Sequence, residues 1–494
     1  MMQVRCAMRS SAESFQNGGQ GPLHRLRATG WASRIDSFMR SPWYIVMLSC
    51  MTVVSNLLAW DLYLYTAFIA IGGYIALLGA DMLPMMPIVM LCYIAPSVHN
   101  NPGRESESIF YPQNGGIYLI VLASLFVMCL ITRLSTDKEI GWKHFFTVKR
   151  KLLSGMVLLG VTYLLSGIGM SGYSALAGKN LLFAALQFVA IFLLYFIFAG
   201  TVKWSKAPKD YLAWMGMCVG FVVMAQLLEN YLSGRIFMNG SGTIDRELIS
   251  TGWGMHNNVG GLMAMMLPFP FYLAYTKKHG WVYSILASIL LGGVIISCSR
   301  TSMVVAAATF CVCAFLLIRN KHTRKANLCV FAVMAVGAMV AAVVFFQKLL
   351  EVFALFFEEL FEVSQRDNLF HYGMKQFLEH PIFGGSFFPQ GEYVPWDWSD
   401  LESFTSFFPP RWHNTLVQVA ASCGVVGLVG YGVHRYQTIK LLLKDFSREK
   451  LFIGLYVAVL LICGLMDCHF FNIGPVLFYS MALAFAENIH QSQV

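Results

Sequence analysis

Apolar residues run along this chain in blocks of about 17–22, separated by short joints that hold most of its charged side chains. Blocks of that length match a hydrocarbon layer crossed by an α-helix, and the pattern predicts about fourteen spans. They fall near 43–60, 62–80, 83–95, 115–132, 152–174, 181–202, 211–228, 259–276, 281–297, 301–318, 326–346, 414–433, 451–466 and 473–487, the third being short. Between the eleventh and twelfth lies a stretch too long to be a joint, 347–413. Within it, Glu351 to Glu362 alternates apolar and acidic residues at helical spacing, the mark of an amphipathic helix resting on the membrane or the bundle. Arg366 opens a second short helix ending near Glu379, Pro381 to Gly385 forms a turn, and 386–412 is aromatic and proline-rich. The expected fold is all-α: a polytopic transmembrane helical bundle over 43–494 with one long extracytoplasmic loop, preceded by a basic tail over 1–42.

Composition excludes a soluble domain, because 57% of residues are hydrophobic, 12% are charged and the mean hydropathy is +0.60. The net charge of +9 then reports on membrane orientation and gives no sign of nucleic-acid binding. Of the 35 Lys and Arg residues, 26 fall in the N-terminal tail and in alternate joints at 133–151, 203–209, 277–278, 319–325 and 435–450. Basic residues resist translocation, so these joints and both termini are expected in the cytoplasm and 347–413 outside. The tail carries Arg5, Arg9, Arg25, Arg27, Arg34 and Arg40 without an apolar core and cleavage site, which reads as a cytoplasmic segment and not a removable signal. The cysteines are scattered through the spans as packing residues, and Cys311 and Cys313 lie on different helix faces, so no metal site and no cofactor are expected.

Nine cations remain on the outer side, where the orientation rule disfavours them, and six are arginines. Arg300 sits in the polar joint Ser297-Cys298-Ser299-Arg300-Thr301-Ser302 between two strongly apolar spans. It either snorkels to lipid headgroups or holds a phosphate, for which the guanidinium fork and its permanent charge are suited. Arg235 and Arg246 precede Trp253-Gly254-Met255-His256-Asn257-Asn258, where Asn257 or Asn258 is placed to cap the next helix and leave outward N–H groups for an anionic headgroup. Trp396, Trp398, Phe407 and Phe408 suit either a headgroup belt or a sugar-stacking surface. Arg411-Trp412-His413-Asn414 opens the twelfth span. A helix N-terminus and a neighbouring guanidinium favour neutral imidazole, which suits His413 to act as a general base, with Asp397, Asp400 or Glu402 to orient it or replace it. Asp467-Cys468-His469 reads as a solvated turn, with a proton relay in a transporter as the alternative, and Gly424, Gly427 and Gly430 as a helix-packing face.

In order and spacing, Ser299-Arg300 at a helix hairpin, Arg366 leading to Glu379-His380-Pro381-Ile382-Phe383-Gly384, and His413-Asn414 opening a glycine-rich span resemble the O-antigen ligase and polymerase superfamily from about 250 to 440. The turn often reads Gly-x-Gly in that family and here reads Gly384-Gly385-Ser386, and fourteen spans exceed the usual dozen. The resemblance implies a metal-independent, inverting glycosyltransferase at the outer face of the cytoplasmic membrane. Its partners would be a lipid-linked oligosaccharide donor on undecaprenyl pyrophosphate, a glycan or lipid acceptor bearing a hydroxyl, and membrane lipids. It would place His413, Arg300 and Arg366 in catalysis and Arg411, Asn414, Arg235, Arg246 and Trp412 in substrate binding. A polysaccharide polymerase of the same superfamily is the alternative, and a flippase for lipid-linked glycans is a reading from another class.

Overall fold

The computed structural model describes residues 29–96, 116–137, 141–234, 236, 244, 246–344, 346, 366–388, 409 and 411–491. The amphipathic helix expected over 351–362, the aromatic segment over 389–408 with its carboxylates, Arg235 and the tail to residue 28 lie outside the described residues. The rest is almost wholly helical. The first group comprises α1 (Gly30–Met39), α2 (Pro42–Leu58), α3 (Asp61–Leu77), α4 (Met85–Ile94), α5 (Gly116–Thr136) and α6 (Trp142–Thr147). Next come α7 (Leu153–Leu164), α8 (Tyr173–Phe188), a π-turn at Val189–Leu193, α9 (Leu194–Thr201) and α10 (Tyr211–Leu232). A two-stranded hairpin, β1 (Ser250–Thr251) with β2 (Gly254–Met255), feeds α11 (His256–Met266) and α12 (Pro268–Thr276). α13 (Gly280–Ile296), α14 (Arg300–Arg319), α15 (Arg324–Val344) and α16 (Arg366–Glu379) precede α17 (Thr415–Leu443), α18 (Arg448–Gly464) and α19 (Ile473–Asn488).

By length and apolarity, six described helices can cross a membrane, or seven when α1 and α2, bent by 70° at their junction, are taken as one span. That count supports a helical membrane bundle and is coarser than fourteen. The bundle is ordered from inside out: α11, α12 and α19 are almost entirely buried, whereas α15 is apolar and exposed along most of its length, with Val343 at 74%. Such a helix faces lipid. A bilayer interior demands that backbone groups find partners within the protein. The π-turn illustrates this, because Ser480 of α19 donates to the carbonyls of Ala190 (2.5 Å) and Ile191 (3.0 Å).

The joints segregate to two ends of the bundle. At one end Arg40 pairs with Asp81 (2.8 Å), Lys203 with Asp137 (2.6 Å) and Lys277 with Asp210 (2.5 Å), Tyr272 donates to Glu449 (3.1 Å), and Glu487 accepts the Lys151 N–H (2.6 Å). These are the joints that carry the excess of basic residues in the sequence. Arg435, grouped with them by sequence, belongs instead inside α17. It is 8% exposed, its guanidinium lies 3.9 Å from the Phe470 ring centre, and Nη1 donates to Tyr479 Oη (2.9 Å). Aromatic faces are an alternative to water for a buried guanidinium.

α17 is longer than expected and is broken at Gly424, whose φ of 63° and ψ of −160° are not helical. A break in a membrane helix frees backbone groups that hydrocarbon cannot satisfy. Here the turn after α16 satisfies them. Val425 N–H donates to Pro381 O (2.8 Å), Val426 N–H to Ile382 O (3.2 Å), and Gly385 N–H to Ala421 O (2.8 Å). Ser166 Oγ takes the Ser422 carbonyl (2.6 Å), and Gly167 N–H donates to Phe383 O (3.0 Å), so the segment after α7 closes the arrangement. The approach is so close that a Cβ on Gly384 would stand 2.2 Å from the Ser422 carbonyl carbon, and one on Gly424 2.3 Å from Ile382 O. Gly424 is therefore a docking point for a turn and not part of a packing face, whereas Gly430 does pack, against Thr162 and Leu159 of α7. Ser386 takes a φ of 76° at the position of the family's second glycine, and its hydroxyl bonds the Phe388 N–H (3.0 Å).

Candidate functional site

The end of the bundle opposite the ion-paired joints gathers the starts of α11, α14, α17 and α19. Their meeting is made by short polar side chains. Ser299, the residue before α14, donates to Asn257 Oδ1 (3.1 Å) in the first turn of α11. Asn472, the residue before α19, donates to Asn258 Oδ1 (2.7 Å) and contacts His469 Nδ1 (3.2 Å). Neither asparagine caps α11, which begins at His256 with Met255 in the capping position, so the expected cap is replaced by two inter-helix bonds. Gly260 and Gly261 permit the approach: a Cβ would meet Ser297 Oγ at 2.4 Å on one side and the His469 ring at 2.4 Å on the other. The starts of these helices bring partial positive charge to this end of the bundle.

His413 and Asn414 enter this cluster from α17. Asn414 caps the helix, its Oδ1 accepting from Leu416 N–H (2.8 Å) and Val417 N–H (3.1 Å), while Nδ2 donates to Leu465 O (2.7 Å). Both ends of that amide are thus engaged by backbone, a helix-starting role. His413 has a left-handed φ of 50° and is one-third exposed. Its Nδ1 faces Asp467 Oδ1 at 3.5 Å, an ion-pair separation longer than a hydrogen bond. The same carboxylate oxygen accepts Cys468 N–H at 2.6 Å.

Asp467 and His469 were not singled out by sequence as site residues, because three polar residues between two spans resemble a solvated turn. Both side chains are buried. Burial pushes the Asp467 carboxyl up, but its neighbours His413, His469 and Arg411 outweigh this and hold the group well below the usual carboxylate range. Burial lowers the proton affinity of His469, Asp467 opposes this, and Arg411 and His413 add to it, leaving a ring that favours the neutral form. The signal available in the sequence was the pairing of an acid and a histidine in a joint that carries no Lys or Arg.

The remaining candidates divide. Arg411 is brought in, its charge acting on Asp467, His469 and Tyr93. Tyr93 in turn stacks with Trp253 at 5.9 Å between ring centres. Arg300 is the first residue of α14, directly after the Ser299 that bonds α11. Arg246 lies beside the same joint, its charge reaching the Cys298 thiol. Arg366 begins α16, which packs along α17, and its side chain is outside what is described. Trp412 differs from expectation: it is 1% exposed and packs against Leu369 of α16 and Ala421 of α17, so its faces meet protein and cannot stack on a sugar.

Residues 285–432, which contain Arg300, Arg366, Arg411 and His413, match the family described as O-antigen ligase. No curated protein matches the chain.

Proposed function

From a membrane protein whose residues 285–432 match the O-antigen ligase family, we propose a glycosyltransferase that moves a glycan from undecaprenyl pyrophosphate to an acceptor hydroxyl at the outer face of the cytoplasmic membrane. The observation that carries this reading is the His413–Asp467 pair, next to Arg411, at the meeting of four helix N-termini. A lipid pyrophosphate leaves readily once its developing charge is neutralised, and preorganised cations and N–H groups supply that neutralisation without reorganising. Arg300 and Arg366 are the first candidates to serve the diphosphate, Arg411 the next, and Arg235 or Arg246 after it.

In this mechanism the acceptor hydroxyl gives its proton to His413 as its oxygen attacks the anomeric carbon. The carbon–oxygen bond to phosphate breaks on the opposite face, the electron pair leaves with the lipid pyrophosphate, and the configuration inverts. Asp467 orients the imidazole through Nδ1 and stabilises the imidazolium that forms, in the manner of an acid behind a catalytic histidine. Both termini and the joints rich in Lys and Arg lie in the cytoplasm on this reading.

Purified protein in nanodiscs, given lipid-linked donor and acceptor, tests the proposal. Glycan is expected to leave the lipid, and His413→Ala is expected to lower the rate by about 10²–10⁴. Near-normal transfer by that variant refutes the role of His413. A ladder of lipid-linked chains in place of transferred glycan would assign the polymerase activity.

A further inference from the structure

Gln418 lies one turn into α17, is 1% exposed, and is not among the residues that the proposed chemistry uses. Its Oε1 accepts the backbone N–H of Trp412 (3.0 Å) and stands 3.4 Å from the Cys468 thiol, and its Nε2 donates to Ser422 Oγ (3.0 Å). Trp412 immediately precedes His413, and Cys468 immediately follows Asp467. One buried amide oxygen therefore grips the two chain segments that present the imidazole and the carboxylate to each other. His413 needs such a grip, since a non-glycine residue at φ 50° is strained and persists only where its surroundings over-determine it. Asn414 supplies the other half by capping α17 and reaching Leu465 O, so His413 is bracketed by two amides that each tie its segment to the 465–468 joint.

We propose that Gln418 is a positioning residue that sets the distance and orientation of His413 against Asp467, which rests on the reading of His413 as the base. A displacement of about 1 Å at a reacting group costs on the order of 10²-fold in rate. Gln418→Met keeps the volume and removes the acceptor.

The variant is expected to lose 10- to 100-fold in kcat while the KM for lipid-linked donor stays within twofold. Added to Asp467→Asn it should cause little further loss, because both act through one pair. A raised KM with unchanged kcat, or full additivity with Asp467→Asn, overturns the proposal. A second measurement needs no substrate: labelling of Cys468 by a small thiol reagent in the whole protein, read by peptide mass spectrometry. Release of the joint should make it at least tenfold faster in Gln418→Met, and equal rates refute the anchoring. If the unaltered protein transfers no glycan, the transferase reading fails, and the labelling still decides whether Gln418 holds the joint.

Discussion

Replacing Gly384 by alanine tests whether the turn after α16 really substitutes for the missing backbone partners of α17. The new methyl would stand 2.2 Å from the Ser422 carbonyl carbon and 2.4 Å from Cys423 N, both backbone atoms with no side-chain freedom to yield. Gly384 also has a φ of 72°, where a Cβ costs about 1–2 kcal/mol. Moving the turn away breaks the bonds from Val425, Val426 and Gly385, each worth about 0.5–1.5 kcal/mol net, and leaves N–H groups in an apolar interior. The sum is roughly 3–6 kcal/mol, at the upper end of what single substitutions do. Thermal and denaturant unfolding in detergent should show this loss in Gly384→Ala and a loss of similar size in Gly424→Ala. The double variant should fall well short of the sum, because either change undocks the same turn. Gly292→Ala, with open space around its Cβ, serves as the control and should be nearly neutral. A Gly384→Ala protein with the unaltered unfolding midpoint refutes the docking.

Asp467→Asn should lower both transfer and stability at neutral pH. The carboxyl is held below its ordinary value in the folded protein, so its stabilising contribution is complete above the unfolded value of about 3.9 and disappears as pH falls through the folded one. The stability gap between the variant and the unaltered protein thus closes in acid as the carboxyl protonates, which unfolding curves at several pH values would check. Trp412→Ala should cost about 3–5 kcal/mol in unfolding experiments and leave donor KM unchanged, and a selective rise in KM would restore a sugar-binding role. Arg300→Lys should reduce transfer nearly as much as Arg300→Ala, because a point charge does not replace a planar two-pronged donor, and a fully active Lys variant would contradict diphosphate recognition.

The helical, apolar character of the chain was legible because a bilayer sets both the length and the composition of what crosses it, and that signal needs no partner. What the sequence could not reveal depends on residues far apart in the chain. Gly424 shares its spacing with Gly427 and Gly430, so a packing stripe and a break look alike until Pro381 and Ile382 are seen to fill it. Asp467 and His469 look solvated until α11, α17 and α19 close over them. Arg435 follows an apolar run and resembles the first residue of a basic joint, yet Tyr431, Phe470 and Tyr479 enclose it. His413 and Arg411 stand out as candidates from the adjacency of an imidazole, a guanidinium and a helix start, whereas the acid opposite His413 is supplied from more than fifty residues away.

The docked turn also orders the making of the protein. Ser166 and residues 381–385 are synthesised before Gly424, so the groups that complete the interrupted helix exist before the interruption does. A ribosome releasing α17 therefore delivers its open N–H groups to acceptors that have already been made. A circularly permuted chain beginning at residue 389 would reverse that sequence of events, exposing the same groups to lipid until the end of translation.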